Sequence, residues 1–171
     1  GTWEGLSFLG EDEEKRDQMT GVDLGVLKEI GHSLAREPEN INTNRKLIRQ
    51  LKAKGGMMDS GEGLDWVMGE ALAFGSLLVE GYKVRLSGQD SGRGTFSHRH
   101  CVIVDQDNEN RYYPLSEIRP DQAAFEVMDS PLSEFAVAGV EYGYSIADPD
   151  TLTIWVAHAR DFANTALVPV R

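Results

Sequence analysis

The chain has 171 residues, 40% hydrophobic and 26% charged, and its 17 Lys and Arg against 28 Asp and Glu give a formal net charge of −11. That length and apolar fraction suit a soluble globular domain with a core of its own. The acidic balance argues against a nucleic-acid binder, which needs a basic face, and no apolar stretch approaches the ~20 residues that span a bilayer.

Residues 1 to 20 show no clean period and read as an irregular lead-in, with an acidic run from Glu11 to Glu14. From Thr20 to Glu37, Leu24, Leu27, Ile30 and Leu34 recur at helical spacing, with Thr20 as the candidate cap. A second helix is predicted from Asn42 to Lys54, with Leu47, Ile48 and Leu51 as its apolar stripe and Gly55-Gly56 as its end. Its other face carries Arg45, Lys46, Arg49, Lys52 and Lys54. That basic face and the acidic run both read as solvated surface. Leu64 to Glu80 is a long, mostly apolar helix expected to be buried on much of its circumference, with Trp66 as a core anchor.

Short strands follow at Lys83–Ser87 and Cys101–Asp105, then a turn at Asp107–Asn110 and an extended piece at Arg111–Leu115. Phe125–Met128 is a strand and Leu132–Ile146 a helix. Leu152–Ala157 is a nearly continuous apolar strand, with Trp155 as a second anchor, and Asp161–Thr165 begins another helix. The alternation predicts an α/β fold with a mostly parallel sheet flanked by helices. It divides the chain into an irregular and helical lead-in, 1–58, and a domain over 59–171. Gly1 in place of an initiating methionine and the apolar end at Val168–Arg171 read as a piece of a longer chain. No signal peptide is visible, and the single cysteine, Cys101, fits a reducing compartment.

Two polar, glycine-bearing runs stand out, Val84–His100 (VRLSGQDSGRGTFSHRH) and Ser130–Ser145 (SPLSEFAVAGVEYGYS). The first leaves a strand and the second enters a helix, and ligand sites in open α/β sheets lie at such strand ends. Gln, Asp, Arg and His are costly in a core without partners, so a site is their natural setting. Glu134 falls in the first turn of the predicted helix, where a glutamate is also stabilised by the helix dipole alone. His98 and His100 form an HxH pair that an extended chain would put on one side. On residue type they could be core or solvated histidines, or two of the three ligands that a catalytic zinc needs. Arg93 could hold a carboxylate by two hydrogen bonds, or the loop could be a tight polar turn. Tyr112, Tyr113, Tyr142 and Tyr144 read as core and interface aromatics.

These runs, with Gly61–Trp66 (GEGLDW), Glu70–Gly81 (EALAFGSLLVEG), Arg111–Leu115 and Trp155–Asn164, resemble in order and spacing the thiamine-diphosphate-dependent 2-oxoglutarate dehydrogenase family, over nearly the whole chain. The resemblance implies a transketolase-like pyrimidine-binding domain, truncated at its C-terminal end. It implies that Glu134 faces the aminopyrimidine of thiamine diphosphate and that His100, with His98 less constant beside it, assists at the 2-oxo acid. Gln89, Asp90 and Leu132 are then cofactor-pocket residues, and Glu141, two turns beyond Glu134, a structural hydrogen-bonding residue.

The diphosphate-holding GDG…N motif is missing, so Mg²⁺ would be held by a domain absent from this chain, and no metal site is expected here. The resemblance further implies a homodimeric parent, a lipoyl-bearing succinyltransferase as partner, the tricarboxylic acid cycle, and a bacterial cytoplasm in preference to a mitochondrial matrix. Three positions depart from the family: Val156 for a glutamate, Ala159 for an aromatic and Arg160 for a glycine. Losing one aromatic contact costs ~0.5–1.5 kcal/mol beyond its burial. A non-catalytic domain that only folds and associates, or a 2-oxoadipate-specific relative, therefore stands as the alternative.

Overall fold

The computed structural model describes residues 1–6 and 19–157. The acidic run at Glu11–Glu14, the helix expected from Asp161, and the departures at Ala159 and Arg160 lie outside them.

Helix α1 spans Leu24–Ala35. Its cap is Asp23 and not Thr20, because the Asp23 carboxylate accepts from the backbone N–H of Gly25 (2.8 Å) and of Val26 (3.3 Å). Helix α2 spans Arg45–Ser60 and is capped by Asn44. It runs straight through Gly55-Gly56, which were expected to end it, and stops at Gly61 in the left-handed region (φ 69°). Two mid-helix glycines cost about 1 kcal/mol each. The residue beyond them, Met58, is buried, and its side chain fills the space over Gly31 of α1. Burying a methionine is worth ~1.5–3 kcal/mol, enough to carry the helix through.

Helix α3, Trp66–Val79, starts from Asp65, whose carboxylate accepts from the Met68 N–H at 2.8 Å. Met68, Leu72, Phe74 and Leu78 enter the core with Ile30 and Leu34 of α1 and Met58 of α2. Trp66 does not anchor it. At the first helical position it points outward and is 94% exposed.

Strand β1 (Lys83–Gly88) is the centre of a three-stranded parallel sheet, ordered β4-β1-β5, with β4 at Phe125–Asp129 and β5 at Thr151–Val156. Val84 and Leu86 are buried, and Leu86 stands opposite Val127 on one side and Ile154 on the other. β5 is less buried than its apolar sequence predicts, because among the described residues it is an edge of this sheet: Leu152 is exposed and Thr153–Val156, Trp155 included, are half-buried. The strand expected over Cys101–Asp105 shrinks to β2 (Ile103–Val104). It pairs antiparallel with β3 (Arg111–Tyr112) as a separate hairpin. The expected extended piece gives way at Pro114 and Leu115 to a 3-10 turn, Pro114–Ser116. Helix α4, Glu134–Ala147, then descends along β1 and β5. The α/β class and the parallel sheet are as the alternation predicts. No described helix is long and apolar enough to cross a membrane.

Candidate functional site

The chain leaves β1 through Gly88, where backbone and side chains close in. A Cβ there would stand 2.7 Å from the Val156 carbonyl oxygen and 2.8 Å from Ser91 Oγ, so only glycine fits. The neighbouring strand ends nearby: the Ser130 N–H donates to the Gly88 carbonyl (2.6 Å), and the Leu132 N–H to Ser130 Oγ (3.2 Å). Two residues later α4 begins at Glu134. Its N-cap, Ser133, makes no side-chain capping bond. The Glu134 carboxylate instead accepts a hydrogen bond from Gln89 Nε2 at 3.1 Å. This carboxylate therefore stands at a helix N-terminus over the carboxyl end of a parallel strand, where the helix dipole favours its charge and where α/β sheets place ligands. Leu132 and Phe135 flank it and are both exposed.

The remaining loop residues are organised among themselves. Asp90 pairs with Arg93 (2.6 Å), and Arg93 also donates to Ser97 Oγ at 3.2 Å. Arg93 is thus engaged within the loop and does not stand as an open carboxylate clamp. Arg99 makes a two-point ion pair with Glu70 of α3 (2.6 and 3.1 Å) and donates to the Ser91 carbonyl, pinning the loop to the helical layer.

His98 and His100 are not part of an extended strand: the backbone is left-handed at Ser97 (φ 52°), just before the pair, and at His100 itself (φ 43°), and the two side chains lie in different surroundings. His98 lies over Gly94 and beside Phe96, its Nδ1 buried without a hydrogen bond. His100 lines a cleft of about 530 Å³ between the loop and α2, with Lys46, Gln50, Arg93 and Arg111. Neither that cleft nor the smaller cavity it borders beside Cys101 is lined by Glu134 or Gln89. Burial, with Lys54 and Arg93 adding to it, holds His100 below the usual imidazole range. Burial pushes the Cys101 thiol up to about 12, an inert core group. Among the described residues no three His, Cys, Asp or Glu side chains gather to hold a metal.

Sequence reasoning passed over Arg85. It is buried under α4 and makes a two-point ion pair with Glu141 (2.8 and 3.0 Å), a second pair with Glu126 of β4 (2.7 Å), and a cation–π contact 4.5 Å above the Tyr144 ring. Glu141 has the structural role expected of it. A charged residue in the middle of an otherwise buried strand was the available signal, since such a group needs a partner. Tyr142, expected in the core or an interface, is exposed.

Residues 62–170 match the family described as transketolase, pyrimidine binding domain. The 2-oxoglutarate dehydrogenase E1 components of Brucella canis, Brucella suis and Brucella abortus are each 49% identical to this chain over 168 residues, which cover 98% of it. The chain spans 17% of the length of those relatives. With a parallel sheet, a tight glycine exit from its central strand and a glutamate opening the following helix, the chain belongs to the transketolase pyrimidine-binding domain family.

Proposed function

We propose that this chain is the pyrimidine-binding segment of a thiamine-diphosphate-dependent 2-oxoglutarate dehydrogenase. Its parent decarboxylates 2-oxoglutarate in the tricarboxylic acid cycle and passes the succinyl group to a lipoyl-bearing succinyltransferase. The observation that carries this reading is the Glu134 carboxylate, held by Gln89 at the start of α4 over the end of β1. The residues fit half of the cofactor. A carboxylate oriented by an amide, with exposed Leu132 and Phe135 beside it, suits a flat, basic heteroaromatic ring. Nothing among the described residues suits a diphosphate with its Mg²⁺, which belongs in this reading to another domain of the parent.

When bound, thiamine diphosphate supplies a thiazolium carbon acid that becomes the nucleophile. Glu134 holds a proton between its carboxyl oxygen and the ring nitrogen, and the Gln89 amide fixes which oxygen faces the ring. Asp90 braces the loop through Arg93. His100, neutral near pH 7 because its proton affinity is lowered, hydrogen-bonds the 2-oxo acid and relays protons, with His98 supporting the loop beside it. In the same reading the lead-in spans 1–58 and the pyrimidine-binding domain 59–171, the parent is a homodimer, and it works in a bacterial cytoplasm. The family match beginning at 62 supports the domain boundary, and the three Brucella relatives support a bacterial setting.

The test is Glu134→Ala in the full-length parent. Proton exchange at the thiazolium carbon of the bound cofactor should fall by roughly 10²–10⁴-fold, the range for a lost acid–base group. Exchange at the wild-type rate with cofactor bound removes Glu134 from its role.

A further inference from the structure

Helix α4 meets β1 at one place and the loop that leaves β1 at another. Glu141 takes the Arg85 guanidinium in a two-point ion pair, and Glu134 takes the Gln89 amide. Glu134 and Glu141 are seven residues apart, which is two helical turns, so they share one face and are separated by ~10.5 Å of rise. Arg85 lies inside β1, whereas Gln89 is the first residue beyond it, past the glycine exit at Gly88. Both contacts are made at once, one on the strand and one on the loop that leaves it, as the helix runs back along β1.

The two contacts are unequal. The Arg85 contact is charged, two-point and buried, and it is reinforced by Glu126 and by the Tyr144 ring one turn from Glu141. The Gln89 contact is a single exposed hydrogen bond at 3.1 Å. Ser133 adds no capping bond to hold the helix end. A slide of α4 by one residue would turn its face by ~100° and take Glu141 off Arg85.

We infer that Arg85 and Glu141 are positioning residues that set the register of α4 on β1 and so aim the Glu134 carboxylate at its ring partner. The pair is not needed for stability as such. A buried ion pair replaced by apolar residues of similar volume is often neutral or stabilising. What the pair adds is direction, because a guanidinium fork accepts a carboxylate in one plane and one orientation. The inference rests on the reading of Glu134 given above.

The experiment uses the full-length protein with three variants: Glu134→Ala, the double variant Arg85→Met with Glu141→Met, and Arg85→Lys. Cofactor affinity is measured by calorimetry, thermal stability by scanning, and proton exchange at the thiazolium carbon under saturating thiamine diphosphate. The double variant should melt near the wild-type temperature yet exchange roughly 10–10²-fold more slowly, as expected for a group misplaced by about 1 Å. Arg85→Lys keeps the charge and loses the fork, and should show a smaller loss in the same direction. It carries the test if the double variant does not fold. Wild-type exchange rates in a folded double variant, or in Arg85→Lys, overturn the positioning role while Glu134→Ala still abolishes exchange. Unchanged exchange in Glu134→Ala overturns the underlying reading instead.

Discussion

By residue type Lys54 belongs with the cations of a solvated helix face. It is half-buried and lines the small cavity with His100, Arg99, Glu70 and Cys101. Burial lowers its proton affinity, and its charge in turn is the second cause lowering that of His100. The sign of the resulting pH dependence follows from linkage. The folded His100 titrates below the unfolded value of ~6.5, so between the two values the unfolded chain binds more protons. The His100 contribution to stability is therefore complete above pH ~6.5 and is lost as pH falls toward the folded value. In urea unfolding the wild type should lose stability relative to His100→Gln as pH drops from 7.5 to 5. In Lys54→Met the His100 imidazole should titrate at higher pH by NMR, and an unmoved titration would detach Lys54 from it. At this scale residue type was a good guide to the structural hydrogen bonding of Glu141 and a poor one to Lys54 and Trp66. Exposure depends on which way a helix is turned, and the periodicity of one helix does not say what packs on it.

The helices were legible as elements and mistaken at their ends. Thr20 gave way to Asp23, whose carboxylate reaches the N–H groups two and three residues on, a local signal, whereas Gly55-Gly56 gave way to Gly61 because a methionine reaches another helix. The same packing separates glycines that look alike in sequence. Gly75 of α3 faces Ile30 of α1, where an added Cβ would run into the Ile30 Cγ2 methyl, whereas an added Cβ at Gly56 meets nothing within 4 Å. Gly75→Ala should lower the unfolding free energy by ~1–3 kcal/mol through overpacking, partly offset by helix propensity. Gly56→Ala should raise it by up to ~1 kcal/mol. Chemical denaturation checks both, and equal signs for the two would contradict the α1–α3 contact. Strands were found in the right order, since alternation and apolar runs are local. Their pairing as β4-β1-β5 was not readable, because hydrogen bonds between strands join residues some 40 to 70 positions apart in sequence.

Among the described residues, the sheet ends on β5, and α4 leaves Phe135, Val140, Tyr142 and Ile146 exposed. In the proposed reading the rest of the parent supplies the diphosphate site. The 171-residue chain alone should then release no CO₂ from 2-oxoglutarate above the rate without protein, in thiamine diphosphate and Mg²⁺, while the full-length parent turns over under the same conditions. Turnover by the isolated chain would show that the reading misplaces the diphosphate site. The α/β class, the parallel sheet and the glutamate opening a helix were set by the sequence itself, because periodicity, caps and long ordered motifs are properties of neighbouring residues. Tertiary structure alone decided that Gln89 meets Glu134, that Arg85 is locked to Glu141, and that the two histidines part company. Each of these depends on where separate segments of chain come to rest against one another, and a pair of backbone turns or a helix register can redirect a side chain without altering any local pattern.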